Sequence, residues 1–452
     1  MRYWLSVALA AVAPVGGLAA TDARADTLQQ ALTSTYTTNP TLAAARAQAR
    51  SADEGMVQAR SGFLPSISAT GSYSDRTIKT RTQITGGGVI ASKSSLEPTS
   101  YGVQAVQPLF TGGRLIAQTR LAAASIELNQ AALRATEQGV LLRAIAAYMD
   151  VRRDEDSARI QANNAEVLAR QLQAAKDRFE VGEITRTDVA QAEARLAGAE
   201  ASLAAARSTL EASRATYQEV IGKPPEALEA PPPAPELPAG LAEAVEQAIA
   251  ANPDLAQLAQ AEKIARETVR LQVSTLLPQI SVVGSYARQN DQSTRGIEQD
   301  VSAATAQVSI PLFEAGFRRS TVRQAKQDLA QARAQTEAVR RQVISDVTAA
   351  WNDVKAAERV VAASREQQRA AALALEGTEQ ELQVGLRTTL DVLNAQQEVL
   401  NAQLSVARAE RDAYVAAHAL QQAMGKLEPQ SLGVNAPLYN PDKHRRAVLY
   451  RF

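Results

Sequence analysis

Apolar positions recur at i, i+3 and i+4 through residues 27–62 and again through 241–276, the spacing of one helix face. An Asn-Pro pair interrupts each stretch, Asn39-Pro40 and Asn252-Pro253. Proline inside a helix removes a backbone hydrogen bond and costs ~3 kcal/mol, so each stretch should divide into two helices. Past Gly113, and again past Gly316, a helical pattern free of proline runs to Val181-Gly182 and Val384-Gly385. At 1.5 Å per residue such a helix reaches ~100 Å. A pattern of ~37 residues, or ~55 Å, then returns to Gly222 or Gly425. The two shorter stretches stacked end to end come close to the long helix. One long helix should therefore lie antiparallel to two shorter ones, with the glycine turning the chain at the far tip. Helices this long cannot bury a face within a compact domain and need coiled-coil neighbours.

Four strand-like runs separate the helical stretches, at 65–74, 101–110, 279–288 and 303–313. In the last, Ala304, Ala306, Val308 and Ile310 alternate with Thr305, Gln307 and Ser309. Each run has the length of about ten residues that a tilted membrane strand needs. Tyr73, Tyr101, Phe110, Tyr286 and Phe313 fall near strand ends, where barrels carry interfacial aromatics. A polar loop is expected inside each pair of runs. Two hairpins cannot close a barrel, and lipid does not tolerate an open sheet edge. If these strands enter a membrane, several chains must share one barrel; three would supply twelve strands. A soluble reading exists beside this one: four short strands on a rod-like periplasmic adaptor or scaffold without a pore.

The chain is written twice. Asn39-Pro40, Leu64-Pro65 and Gly71-Ser72-Tyr73 return as Asn252-Pro253, Leu277-Pro278 and Gly284-Ser285-Tyr286, all at an offset of 213. Pro108-Leu109-Phe110, Val181-Gly182, Asp188-Val189 and Gly222-Lys223 return as Pro311-Leu312-Phe313, Val384-Gly385, Asp391-Val392 and Gly425-Lys426, all at 203. Ordered matches at constant offset mark a duplicated unit. The change of ten residues falls between Tyr73 and Pro108, so a loop around Gly86-Gly87-Gly88 is longer in the first copy. The expected divisions are a signal peptide at 1–25, a first repeat at 26–222, a Pro-rich connector at 223–240, a second repeat at 241–425 and a tail at 426–452.

Composition narrows the function classes. Aromatics are 4% against 45% for all apolar residues, which suits closely packed Ala-rich helices. Lys plus Arg and Asp plus Glu are both 48, so nothing points to nucleic acid. The absence of cysteine removes thiolate metal sites and Cys nucleophiles, and no paired carboxylate constellation suggests an enzyme. Of the two histidines, His418 reads as a packed or surface residue and His444 lies in the tail. No metal or cofactor is expected. Arg2, the apolar core 5–15 and Ala23-Arg24-Ala25 form a Sec signal peptide pattern with cleavage after Ala25. No later apolar run could be a spanning helix.

The duplicated helix–hairpin–helix unit, the Leu-Pro-x-Ile-Ser and Pro-Leu-Phe motifs and the segment 101–114 together resemble the TolC family of efflux and type I secretion channels. So does V-G-x-x-T-x-x-D-V, which occurs at 181–189 and 384–392. The resemblance implies a mainly α fold with a β-barrel part: a homotrimer whose twelve-stranded barrel in outer-membrane lipid continues into a long periplasmic α-helical barrel. It implies an exit duct, joined by a periplasmic adaptor (membrane fusion protein) to an inner-membrane transporter. Pro65, Pro108, Pro278 and Pro311 would mark the passages between strands and helices.

By the same resemblance the tips form the gate. Asp188 and Asp391, ~9 Å up the returning helices, would place six carboxylates at the narrow end of a trimer. Such a ring attracts cations, and crowding of like charges should raise some of its pKa values. Arg387 would latch onto Thr187 and Asp188. Asn394 stands where the family has a second acid, which weakens cation binding. Gly182, Gly385, Leu386 and Thr185 would meet the adaptor.

Overall fold

The computed structural model describes residues 26–449; the expected signal peptide lies outside them. In the first half, α1 (Leu28–Thr38) and α2 (Pro40–Ser61) precede β1 (Ser66–Tyr73), β2 (Arg76–Ile84), β3 (Gly88–Leu96) and β4 (Thr99–Phe110). The long helix α3 (Arg114–Glu180) and the return helix α4 (Arg186–Ile221) follow. The second half repeats this order with α5 (Leu241–Ala251), α6 (Pro253–Ser274), β5 (Gln279–Asn290), β6 (Glu298–Ser309), α7 (Phe317–Gln383) and α8 (Thr389–Ala423). The tail ends in α9 (Pro441–Leu449). Helices α3 and α7 have 67 residues each, or ~100 Å at the α-helical rise.

Both Asn-Pro pairs divide their helices by one mechanism. Asn39 Oδ1 accepts the Thr41 and Leu42 amides at 2.9 and 3.4 Å, and Pro40 opens α2, where a missing N–H is harmless. Asn252 does the same for Asp254 and Leu255 at the start of α6. The other half of each amide looks outward: Asn39 Nδ2 donates to Val220 O and Asn252 Nδ2 to Ala423 O, both at 3.0 Å. Each break is thereby pinned to the end of a return helix. The column beside α3 is accordingly α4 continued by α2, ~87 Å at the α-helical rise. Helix α1 does not extend this column, contrary to the simple end-to-end expectation. It packs alongside α3 and the last turns of α4, because Leu28, Ala31 and Leu32 bury themselves against Ile145, Tyr148, Tyr217 and Ile221.

That core also fixes the connector. Asp26, almost fully buried, accepts from Tyr217 Oη at 2.9 Å and Lys223 Nζ at 2.7 Å. Its amide donates to Ala227 O at 2.7 Å, and Tyr148 Oη lies 2.8 Å from the Asp26 and Glu229 carbonyls. In the second half, Ala244 and Ala248 of α5 pack on Val343, Val347 and Leu420. His418 is buried, with Nδ1 2.9 Å from Tyr414 O, and burial lowers its pKa. His444 is anchored by Asp53 at 2.9 Å, tying α9 to α2.

Four strands form one antiparallel sheet in the order β1-β4-β5-β6. The register separates two faces. Ile67, Ala69, Tyr73, Tyr101, Val103, Ala105, Ile280, Val282, Tyr286, Ala304, Ala306 and Val308 share one. Ser66, Ser68, Thr70, Ser72, Ser100, Gln104, Ser281, Ser285, Thr305, Gln307 and Ser309 lie on the other, interleaved with Val106, Val283, Ala287, Val301 and Ala303, while Arg288, Glu298 and Asp300 sit at the far end of the first face. Tyr73, Tyr101 and Tyr286 cluster toward the end away from the helices. Edge strands β1 and β6 have no outer neighbour within the described chain.

Two strand expectations need correction. The loop expected between Tyr73 and Tyr101 is a β-hairpin, β2 paired with β3 as a separate two-stranded sheet. Its Thr and Ile residues favour extended backbone even though the segment is mostly polar. The fourth run is displaced: β6 covers Glu298–Ser309, and residues 310–313 leave the sheet. Pro311 has no N–H to give the ladder, so the strand ends before it. Pro108 is instead inside β4 opposite Ser281, at the register shift between Pro108 and Phe110. Pro65 and Pro278 precede β1 and β5 directly.

Replacing Asn39 by Ala removes the cap and leaves the Val220 carbonyl without its donor. We expect a loss of ~1–2 kcal/mol, read as a lower midpoint in thermal denaturation of the detergent-solubilised protein. Asn39→Asp keeps the capping oxygen and should lose less; equal losses would show that capping is unimportant here.

Candidate functional site

The two tips are built alike, backbone first. Helix α3 ends at Val181, and Gly182 takes φ +82°. Gly182 N donates to Phe179 O and Glu183 N to Arg178 O, both at 2.9 Å. This paired closure of the last carbonyls is a Schellman motif, which needs a left-handed residue after the cap. At the second tip Gly385, φ +79°, donates to Leu382 O at 3.0 Å and Leu386 N to Glu381 O at 2.9 Å. Glycine is therefore demanded by the turn itself.

The next helix begins three residues later. Thr185 is the N-cap of α4: its Oγ1 accepts the Asp188 amide at 3.3 Å, and its own amide donates to Asp188 Oδ2 at 2.9 Å. Thr388 and Asp391 repeat this at α8, with the same 3.3 and 2.9 Å. This is a capping box with aspartate in place of the usual glutamate. Both aspartates thus occupy the first turn, not a point ~9 Å along the helix as a continuous helical rise from the glycine implies. The segment between glycine and threonine is not helical.

This geometry sets the local electrostatics. Hydrogen bonds from the Thr185 hydroxyl and amide hold the Asp188 carboxyl below the usual carboxylate range, and the Thr388 amide and hydroxyl do the same for Asp391. Within one chain the shift is downward, opposite to the effect expected from a crowded ring. Arg387 is engaged elsewhere: its Nε donates to Glu381 Oε2 at 2.8 Å, and no hydrogen bond joins it to Thr187 or Asp188 in the protomer. Within one chain the glycine turn folds Arg387 back over its own helix end. Arg178 and Glu183 make the analogous pair at the first tip, 2.7 Å apart. Thr187 is exposed in the first turn of α4.

Asn394 joins the two repeats: its Oδ1 accepts from Arg195 Nη2 at 3.0 Å. Below it Leu393 is buried with Leu168 and Ala199, so α8 packs against α3 and α4 near the tips. Arg195, Arg178, Glu183 and Glu381 were not apparent as site residues. A charge flanking each tip glycine was a usable signal for three of them; Arg195 had none. Leu386 projects at 75% exposure beside exposed Val384 and Leu390, whereas the first tip has Glu183 in the place of Leu386. Among the described residues no cluster of His, Asp and Glu is disposed to hold a metal ion.

Thr388→Ala should weaken the cap by ~1 kcal/mol, so that hydrogen exchange of the amides at 388–392 quickens about 5-fold. Asp391→Asn retains an accepting oxygen without the charge, so it should quicken those rates at neutral pH by less than Thr388→Ala and remove most of their dependence on pH. The aspartates bind fewer protons folded than unfolded, so their contribution is complete above the ordinary carboxylate range. It is lost as pH falls through the lowered folded value. Protection of the tip amides should be flat from pH 7 to about 5 and decline below about 4.

Comparison with known proteins bears on the family and the fold. A family model described as outer membrane efflux protein matches residues 28–223 and 244–426, leaving out most of the Pro-rich connector. The outer membrane efflux protein BepC of Brucella suis is 35% identical over 430 residues, covering 94% of this chain and 91% of that protein. The outer membrane protein TolC of Vibrio cholerae is 28% identical over 412 residues, covering 88% and 91%. In three dimensions the Campylobacter jejuni CmeC outer membrane channel aligns with a TM-score of 0.77 at 14% identity, over 94% of this chain and 89% of that one. That likeness concerns the fold alone. With two repeats matched nearly end to end and a relative above 30% identity across the whole length, the chain belongs to the outer membrane efflux protein family.

Proposed function

We propose that three copies of this chain form the exit duct of an efflux pump or type I secretion system. Each copy contributes β1, β4, β5 and β6 to a twelve-stranded barrel in the outer membrane. Helices α2–α4 and α6–α8 line a periplasmic tunnel below it. The observation that carries this reading is the sheet. It has a mainly apolar face with tyrosines toward its far end, a second face of hydroxyl and amide residues mixed with Val106, Val283, Ala287 and Val301 and free of charge, and two open edges. An apolar face suits lipid, a hydroxyl- and amide-lined face suits a water-filled lumen, and open edges demand neighbouring chains.

At the other end Asp188 and Asp391 supply six carboxylates. The Thr185 and Thr388 hydrogen bonds keep them ionised against mutual repulsion, so the constriction favours cations. Asn394 leaves this as a single acidic ring. In the closed trimer Arg387 can exchange Glu381 for Asp188 or Thr187 of an adjacent tip. Exposed pairs of this kind are worth ~0–1 kcal/mol, weak enough for a bound adaptor to redistribute. Gly182, Thr185, Gly385 and Leu386 form the adaptor-contacting surface, with exposed Leu386 as its apolar contact. The protein reaches the periplasm through Sec, and an inner-membrane transporter supplies the energy. The duct performs no catalysis.

The test is single-channel conductance of the purified oligomer in planar bilayers. Wild type should show a small, cation-selective conductance. Asp188→Asn with Asp391→Asn should retain conductance and lose most of the selectivity, because the caps survive and the charge does not. A folded, membrane-extracted oligomer without conductance overturns the duct, and unchanged selectivity in the double variant removes the aspartates from the constriction.

A further inference from the structure

The β2–β3 hairpin is the one substantial departure from the duplication, since the equivalent connection in the second repeat spans only residues 291–297. It carries Arg76, Lys79, Arg81 and Lys93 and no acidic residue from 76 to 96, with Asp75 and Glu97 at its base. The register sorts these charges. Lys79 lies directly opposite Lys93, and Arg81, paired with Ala91, is the next residue on the same face. Arg76 falls on the other face with Ile78, Ile84 and Ile90. Directly opposed side chains in an antiparallel pair approach to about 5 Å between Cβ atoms, and like charges there are unfavourable. None of the four cations forms an ion pair among the described residues. An isolated two-stranded hairpin is marginal already, so a Lys–Lys pair at its centre is a defect for folding that an anion would relieve.

Position identifies the anion. The hairpin leaves the sheet at Tyr73 and Thr99, closed by Ser74 N to Pro98 O at 3.0 Å, at the end opposite the helices. Tyr73, Tyr101 and Tyr286 mark that end as the interfacial belt. Lys79 and Lys93 are each six residues beyond the base, or ~20 Å of extended chain. At the ~45° tilt of a membrane strand that is ~14 Å above the belt, beyond the acyl region, from where the long Lys and Arg side chains reach back toward the headgroups.

We propose that Lys79, Arg81 and Lys93 form a binding face for the phosphate groups of the outer leaflet's phosphorylated glycolipid. This rests on the outer-membrane duct reading, which orients the hairpin outward. Three cations acting together near an anionic lipid surface, each contributing about as much as juxtamembrane lysines do, predict a change on the order of 100-fold in affinity, weakened by salt.

The test uses the full-length oligomer and three probes: the bis-phosphorylated glycolipid in micelles, the same glycolipid after enzymatic dephosphorylation, and inorganic phosphate. Wild type should bind the first about 100-fold more tightly than Lys79→Gln/Arg81→Gln/Lys93→Gln does, and Arg76→Gln should bind within about 5-fold of wild type. Without lipid, the triple variant should protect hairpin amides from exchange at least as well as wild type, since the Lys–Lys opposition is gone. A purely structural role for the cations would give the reverse. Equal binding by wild type and the triple variant overturns the proposal. So does equal binding of the dephosphorylated lipid, and so does inorganic phosphate competing at the glycolipid's own affinity. Conductance measured on the same preparations separates the two readings: unchanged conductance with unchanged glycolipid binding removes only this proposal, whereas no conductance in wild type removes the duct.

Discussion

Backbone N–H and C=O groups on the outer edges of β1 and β6 have no partner among the described residues of one chain, and in lipid each such group left open costs several kcal/mol. Much of the architecture follows from satisfying them. An apolar face on this sheet draws it into the bilayer, yet the same transfer is forbidden while the edges are bare. Association is therefore a condition of insertion, not a later refinement of it. The sheet is also where the two repeats meet, because β4 of the first pairs with β5 of the second along eleven positions. The duplication thus halves the number of edges that other copies must close: two repeats present two edges per chain where separate units would present four.

The helical end obeys a different constraint. A helix of ~100 Å has only one far end, and the chain must reverse there without burying its free carbonyls and amides. The recurrent V-G-x-x-T-x-x-D-V is the minimal solution. The glycine closes the outgoing carbonyls, and the threonine and aspartate close the incoming amides. Charge at the tip is a by-product of the cap, because a carboxylate is the strongest acceptor for an amide at a helix start. In the proposed duct the same hydrogen bonds that hold the turn keep the carboxylate ionised. Structural and functional selection then act on one atom, Oδ2 of each aspartate.

What could be read from the chain beforehand divides along the same line. The Asn-Pro breaks, the tip glycines and the long helices were legible because each rests on a local rule of backbone chemistry. The β2–β3 hairpin was not, since Ile78, Ile84, Ile90 and Leu96 recur only every sixth residue, too sparsely for an apolar alternation to be read, and its threonines and serines resemble a loop. The end of β6 was misplaced because Ile310, Leu312 and Phe313 are apolar while Pro311 cannot pair. The Arg387–Glu381 pair within one chain is not legible for another reason: Glu381 is adjacent to Arg387 only once the glycine has turned the chain back. The contact between Arg195 and Asn394 depends on how two repeats pack, and no spacing within either repeat encodes it.

The x positions of the tip motif lie outside these backbone rules, and they are where the two copies differ. Glu183 and Ile184 in the first stand in place of Leu386 and Arg387 in the second, with Thr187 in place of Leu390. Any of these residues fits the turn, so drift there carries no folding penalty and selection for contacts can act alone. The outcome is two tips that each close an ion pair over the helix end and expose the valine before the glycine, but carry Glu183 in one and Leu386 in the other. A trimer would carry three of each in alternation. A partner that binds all six must then offer two kinds of contact, one tolerant of charge and one apolar, which identical sites on a sixfold-symmetric partner would not need.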